Sequence, residues 1–130
     1  MIYLDSSALL KLLFEEAESA ALEAWLTERA GTPILSSELV KVEVVRATRR
    51  LNPQVLPAAR SLIAQLDHVP ITGALLDEAA EVGDVSLRSL DAIHLASAVA
   101  LSAELTTFVA YDTRLAAAAR AAGLPIAQPE

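Results

Sequence analysis

Four carboxylates, Asp5, Glu43, Asp91 and Asp112, are each set in apolar sequence. Asp5 closes Met1-Ile2-Tyr3-Leu4, and Glu43 stands within Leu39-Val40-Lys41-Val42-Glu43-Val44-Val45. Asp91 opens Asp91-Ala92-Ile93-His94-Leu95-Ala96, and Asp112 follows Phe108-Val109-Ala110-Tyr111. A charge beside a core is costly unless something compensates it. Four such acids suggest a shared compensator, and a divalent cation is the natural one. Clustered carboxylates raise one another's pKa values. Mg²⁺ or Mn²⁺ relieves this, prefers oxygen ligands and keeps several waters. Such cations lower the pKa of a water and stabilise charge on a phosphodiester. With two ions roughly 3.5–4 Å apart, one serves the attacking and the other the leaving oxygen. No nucleophilic side chain is then required.

Each acid also has a plainer reading. Glu43 lies on an apolar helix stripe with Leu39, Val40 and Ala47, where a solvated Glu is out of place. A structural ion pair with Arg46, three residues on, accounts for it equally well. Asp91, Asp112 and Asp5 each precede or open a helix, where Asp is a common N-cap. It is the combination that points to a site. Two acids at strand ends, one at a helix start and one on a helix stripe can converge in a groove.

Other residues bear on the same site. Arg46 and Arg50 share roughly one helical face and can lead an RNA backbone toward the metals. They equally suit the solvated, dipole-favoured end of a helix. His94 follows Asp91 by three, but its apolar surroundings favour packing or a structural hydrogen bond over metal ligation. His68, between Asp67 and Val69, is expected to be exposed. Ser6 reads as a helix cap with a minor role in orienting Asp5.

The elements that must position these residues follow from the pattern. Met1–Leu4, Thr32–Leu35, Val69–Ile71, Thr106–Tyr111 and Leu124–Ala127 read as short strands. Helices are expected over 6–14, 18–29, from Ser36 or Ser37 to Leu51, 53–66, 72–82, 90–104 and 113–122, with Gly31, Gly83 and Gly123 as stops. Apolar strands alternating with helices predict an α/β fold, a mainly parallel sheet with helices on both faces. In such sheets ligands sit beyond the carboxyl ends of the strands. Asp5 and Asp112 are each the first polar residue after a strand.

At 130 residues the chain is expected to form one domain. Its net charge of −7 argues against broad non-specific nucleic-acid binding, but not against a nuclease whose acids are masked by metal. A basic partner protein also suits that surface. Cysteine is absent, which excludes disulfides, thiolate nucleophiles and zinc–thiolate sites. No basic leader or membrane span is evident, so a soluble cytoplasmic protein is expected.

The opening Met1-Ile2-Tyr3-Leu4-Asp5-Ser6-Ser7-Ala8-Leu9-Leu10-Lys11 resembles that of PIN-domain ribonucleases. Leu90–Ala98 resembles their central acidic helix, and Phe108–Leu115 with Ala118–Pro125 their C-terminal segment. Ser36-Ser37-Glu38-Leu39, with Glu43 following, looks like the helix carrying the family's glutamate. The resemblance covers essentially the whole chain, in order and spacing. The compact size points to VapC-type toxins of bacterial toxin–antitoxin pairs. The resemblance implies a single PIN domain over residues 1–130, folded as a three-layer α/β/α sandwich. It implies a Mg²⁺- or Mn²⁺-dependent endoribonuclease, often homodimeric, inhibited by a cognate antitoxin and leaving a 5′-phosphate and a 3′-hydroxyl. The family's acidic quartet carries over to Asp5, Glu43, Asp91 and Asp112 as metal and catalytic residues. One departure is Ala110, where many relatives have Ser or Thr, so any hydroxyl bond that helps position Asp112 is missing.

Two other functional classes share this type of scaffold. A phosphoacceptor signalling domain needs an acidic pair after the first strand and a lysine near the last, and the only lysines are Lys11 and Lys41. A catalytically silent binding module on the PIN scaffold is opposed by the complete quartet.

Overall fold

The computed structural model describes residues 1–130. Five strands form one sheet: β1 (Ile2–Leu4), β2 (Ile34–Ser37), β3 (Asp67–Val69), β4 (Thr107–Val109) and β5 (Ile126–Ala127). Their spatial order is β3-β2-β1-β4-β5 and every pairing is parallel. Seven helices connect them: α1 (Ser6–Leu13), α2 (Ser19–Thr27), α3 (Val40–Leu51), α4 (Leu56–Ala64), α5 (Gly73–Glu81), α6 (Ser89–Val99) and α7 (Thr113–Ala121). A 3₁₀ turn, Pro53–Val55, leads into α4.

Strand alternation decides the layers. Ile2 and Leu4 face one side and pack with Ala8 and Leu9 of α1, Leu22 of α2, Val40 and Val44 of α3, and Ala59 and Ile63 of α4. Tyr3 faces the other side, with Leu35 and Phe108 from adjacent strands, Leu95 and Ala98 of α6, and Leu115 and Ala119 of α7. Helix α5 packs outside on α6 through Leu75, Ala79, Ala92 and Ala96. The result is the expected α/β/α sandwich. Leu9 has no exposed surface. Truncating such a residue to Ala costs about 2–5 kcal/mol, because the cavity adds to the lost transfer energy.

The chain builds outward from β1 in both directions, to β2 and β3 on one side and to β4 and β5 on the other. The topological reversal therefore falls between β1 and β4, the place where open α/β sheets form a ligand crevice. A bond from the Asp5 N–H to the Val109 carbonyl, 3.2 Å, ties the two strand ends together there.

Several boundaries differ from expectation. Ser36 and Ser37 belong to β2 rather than capping α3. The Ser36 hydroxyl donates to the Leu4 carbonyl, and Leu39 occupies the cap position. Strand β3 is Asp67–Val69, two residues earlier than read, and β4 ends at Val109 rather than Tyr111. Helix α6 stops at Val99, and residues 100–104 turn back toward β4. His68 is partly buried in β3, not exposed, and its Nε2 is enclosed without a partner. Gly83 behaves as expected: its φ of +74° suits glycine, and an added Cβ would lie 3.0 Å from Leu87 Cδ2. No helix is long and apolar enough to cross a membrane.

Candidate active site

Asp5 and Asp112 are built by the same local device. Asp5 follows β1 directly and is the N-cap of α1, its Oδ1 accepting from the Ala8 N–H at 3.0 Å. The Ser7 hydroxyl donates to the same oxygen at 2.6 Å. This is the orienting role expected of Ser6, moved one residue on. Asp112, three residues beyond β4, is the N-cap of α7, and its Oδ1 accepts from the N–H groups of Arg114 and Leu115, both at 3.0 Å. The cap readings of these two acids are therefore realised. They occupy one oxygen of each carboxylate, and Oδ2 takes none of these bonds. Ala110 is buried, with its carbonyl accepting from Gln128 Nε2 at 2.7 Å. The backbone of α7, rather than a hydroxyl at position 110, fixes Asp112.

Asp91 is not a cap. Arg88 holds that position, and Asp91 lies in the first turn of α6, where the helix N-terminus favours its charge. Arg88 reaches both neighbouring acids, with Nε 3.3 Å from Asp91 Oδ2 and an Nη 3.7 Å from Asp112 Oδ2.

Glu43, on the first turn of α3, does not pair with Arg46. Its Oε1 lies 2.7 Å from His94 Nε2. The other ring nitrogen, Nδ1, lies 2.7 Å from the Tyr3 hydroxyl. His94 is 1% exposed and Tyr3 is fully buried. Tyr3 stacks on Phe108 and meets the His94 ring edge-on, with centroids 5.1 and 5.9 Å apart. Burial pushes the Tyr3 hydroxyl well above the usual phenol range, so it stays protonated.

Asp5 is 3% exposed. Burial pushes its carboxyl above the usual range, against the pull of His94, Ser7 and the Ala8 N–H, and the Asp91 charge adds to the rise. Asp5, Asp91 and His94 therefore share one electrostatic neighbourhood. Each acid also has protein partners of its own: Arg88 for Asp91 and Asp112, His94 for Glu43, and hydroxyl and amide donors for Asp5. As these side chains lie, no three Asp, Glu or His groups are close enough to hold one ion. The donor set itself, carboxylate oxygens on rigid strand and helix ends, has the chemistry of a Mg²⁺ or Mn²⁺ site.

Arg46 and Arg50 are exposed and, with Arg49, line an open hollow on α3. Arg49 was legible as the third member of that face by its spacing of three from Arg46. Arg88 carried a similar signal, three residues before Asp91. Tyr3 carried none, because its partner lies 91 positions away.

A parallel sheet with Asp5 and Asp112 beyond the strand ends at the β1/β4 reversal defines an α/β protein whose acids stand where such sheets bind ligands. Residues 2–121 match the PIN domain, and the chain belongs to that family. Among curated proteins it is 45% identical to ribonuclease VapC35 of Mycobacterium tuberculosis over 131 residues, covering 99% of this chain and 97% of that one. It is 43% identical to ribonuclease VapC47 of the same species over 132 residues, with the same coverage. Among solved structures it resembles Mycobacterium tuberculosis VapC20, a sarcin–ricin loop cleaving toxin, with TM-score 0.77, 18% identity, and 99% and 100% of the two chains covered. It also resembles VapBC2 of Rickettsia felis bound to a DNA fragment from their promoter, with TM-score 0.74, 14% identity and both chains fully covered. Within the PIN family its likeness is thus to the VapC type.

Proposed function

We propose that this protein is a VapC-type endoribonuclease that hydrolyses RNA phosphodiester bonds with Mg²⁺ or Mn²⁺, leaving a 5′-phosphate and a 3′-hydroxyl. The observation that carries the reading is the placement of Asp5 and Asp112 at the carboxyl ends of β1 and β4, with Asp91 close enough to act on Asp5. Relatives at 43–45% identity over nearly the whole chain are named ribonucleases.

Asp5, Glu43 and Asp91 would hold the principal cation, with Asp112 on a second ion or orienting its water. The cation supplies a lowered water pKa and charge stabilisation at the phosphate. The protein's own residues do the rest. The cap bonds of Asp5 and Asp112 fix each carboxylate by Oδ1 and leave Oδ2 available to a ligand. Arg88 must turn away for the acids to close on an ion. Its side chain is 70% exposed, and exposed ion pairs are worth about 0–1 kcal/mol, so this movement is inexpensive. Arg46 and Arg50, exposed on α3, would take RNA phosphates as the strand approaches, a reading supported by the open hollow that they line with Arg49.

The same acidic crevice suits a basic side chain from an antitoxin, the partner that a VapC-type assignment implies. In this reading the protein works in the cytoplasm as a homodimer and is silenced when that partner binds.

The test is cleavage of a susceptible RNA by the purified protein. Mg²⁺ or Mn²⁺ supports cleavage, EDTA abolishes it, and folded Asp5→Asn or Asp91→Asn loses at least about 10²-fold in rate, the scale of removing one electrostatic element of an active site. Undiminished cleavage in EDTA, or by a folded double variant, would remove the metal-site reading.

A further inference from the structure

Tyr3 and His94 are buried polar side chains to which the reaction as described gives no role, and they lead to Glu43, which it places on the principal cation. The Tyr3–His94–Glu43 chain joins the three elements carrying the principal acids. Tyr3 stands on β1 two residues before Asp5, His94 on α6 three residues after Asp91, and Glu43 is itself on α3. Both links measure 2.7 Å, and both the ring and the phenol are cut off from solvent.

The donor and acceptor roles follow from the groups. A carboxylate only accepts, so His94 Nε2 carries the hydrogen. A neutral ring then leaves Nδ1 as an acceptor, and the protonated Tyr3 hydroxyl fills it. Every member is satisfied, and the tautomer is fixed from the strand side. A buried polar array of this kind is rarely the most stable filling of a core, because well-packed apolar residues serve as well or better. What it supplies is direction. Glu43 has three side-chain torsions to fix on an apolar stripe, and the Nε2–H donor holds its carboxylate at one place beside α6.

We propose that His94 is a positioning residue for the metal site, backed by Tyr3: by holding the Glu43 carboxylate beside α6, the helix that carries Asp91, it sets the affinity for the divalent cation. The proposal rests on the metal-dependent reading above. A carboxylate ligand held by a buried donor loses less freedom when it binds an ion, and loss of such a supporting partner typically costs about 10–100-fold in metal affinity or activity.

The experiment is Mn²⁺ binding to the full-length protein without RNA, by calorimetric titration, with folding checked by circular dichroism. His94→Leu removes the donor and keeps the volume apolar, and is expected to weaken Mn²⁺ binding about tenfold or more. His94→Gln offers an amide N–H near the position of Nε2 and should restore most of that loss. In a Glu43→Gln background, His94→Leu should cause no further loss, because its effect runs through Glu43. Folded His94→Leu with unchanged Mn²⁺ affinity, or with an equal loss in the Glu43→Gln background, overturns the proposal. If His94→Leu does not fold, Tyr3→Phe decides, with a several-fold weakening expected and an unchanged affinity overturning it. Wild-type protein that binds no Mn²⁺ would overturn the metal-dependent reading, and this proposal with it. Wild type that binds while the variants are unaffected overturns this proposal alone.

Discussion

The loops after β1 and β4 and the buried chain beneath them hold their acids in opposite ways. Asp5 and Asp112 are held by their own neighbours, through backbone N–H groups no more than three residues ahead. Glu43 is held by His94, 51 positions away, which is in turn held by Tyr3, 91 positions from it. A locally capped carboxylate keeps its place as long as its helix starts there. A carboxylate held across the core keeps its place only when the whole fold is assembled. The molecule thus has two acids whose positions are set by helix termini and one whose position is set by tertiary packing.

The largest effect on stability should come from the most buried charge. Asp5 has its carboxyl pushed above the unfolded value of 3.8 by burial, with a further push from Asp91. A raised carboxyl pKa means that the folded state takes up a proton more readily than the unfolded one. The resulting penalty is absent below the unfolded pKa, grows as pH rises, and is complete above the folded pKa. Asp5→Asn retains a cap acceptor and removes the charge. It should melt higher than the metal-free wild type at pH 7, and the gain should vanish as pH falls toward 4, close to the unfolded value. Thermal melts across that range check this. A gain independent of pH would show that the Asp5 charge carries no such penalty.

Asp112 sharpens the contrast at smaller scale. It is more exposed and its contribution is the cap. Asp112→Ala should cost about 1 kcal/mol, and Asp112→Asn only a few tenths, in urea unfolding. Equal losses for both would point to its charge, through Arg88, rather than its cap bonds.

Arg88 should matter least for stability. Its pairs with Asp91 and Asp112 are exposed, so Arg88→Ala should change stability by about 1 kcal/mol or less. It should nevertheless tighten Mn²⁺ binding a few-fold, because a competing cation has gone from two of the acids. Weaker Mn²⁺ binding in Arg88→Ala would mean that the guanidinium organises the acids instead of competing for them.

How much was legible in the sequence follows the same division. Asp5 and Asp112 were readable as strand-end acids because strand, acid and helix are contiguous, and the parallel sheet followed from the same alternation. The α/β/α layering and the order of all seven helices were readable for that reason. Ser36 and Ser37 misled because a serine before a helix resembles a cap, whereas the backbone stays in β2 and Ser36 serves the Leu4 carbonyl. His68 misled because the polar pair Asp67-His68 hides the start of a strand that pairs with β2. Glu43 was recognisable as misplaced on an apolar stripe, but its partner was not, since Arg46 was the only cation within local reach. His94 and Tyr3 meet it only through strand order and helix packing, which one chain's sequence does not display. The caps of Asp5 and Asp112 were legible locally, whereas the Glu43–His94 and Arg88–Asp112 pairs depend on that packing.

The central claim is that these acids converge on a divalent cation, and the most direct measurement is anomalous diffraction from crystals of this protein soaked in Mn²⁺. The account predicts a peak bonded to carboxylate oxygens of Asp5 and Asp91 at roughly 2.0–2.2 Å, completed by water, with Arg88 turned away from the crevice. Saturating Mn²⁺ with no peak there, and Arg88 still bridging Asp91 and Asp112, would contradict it.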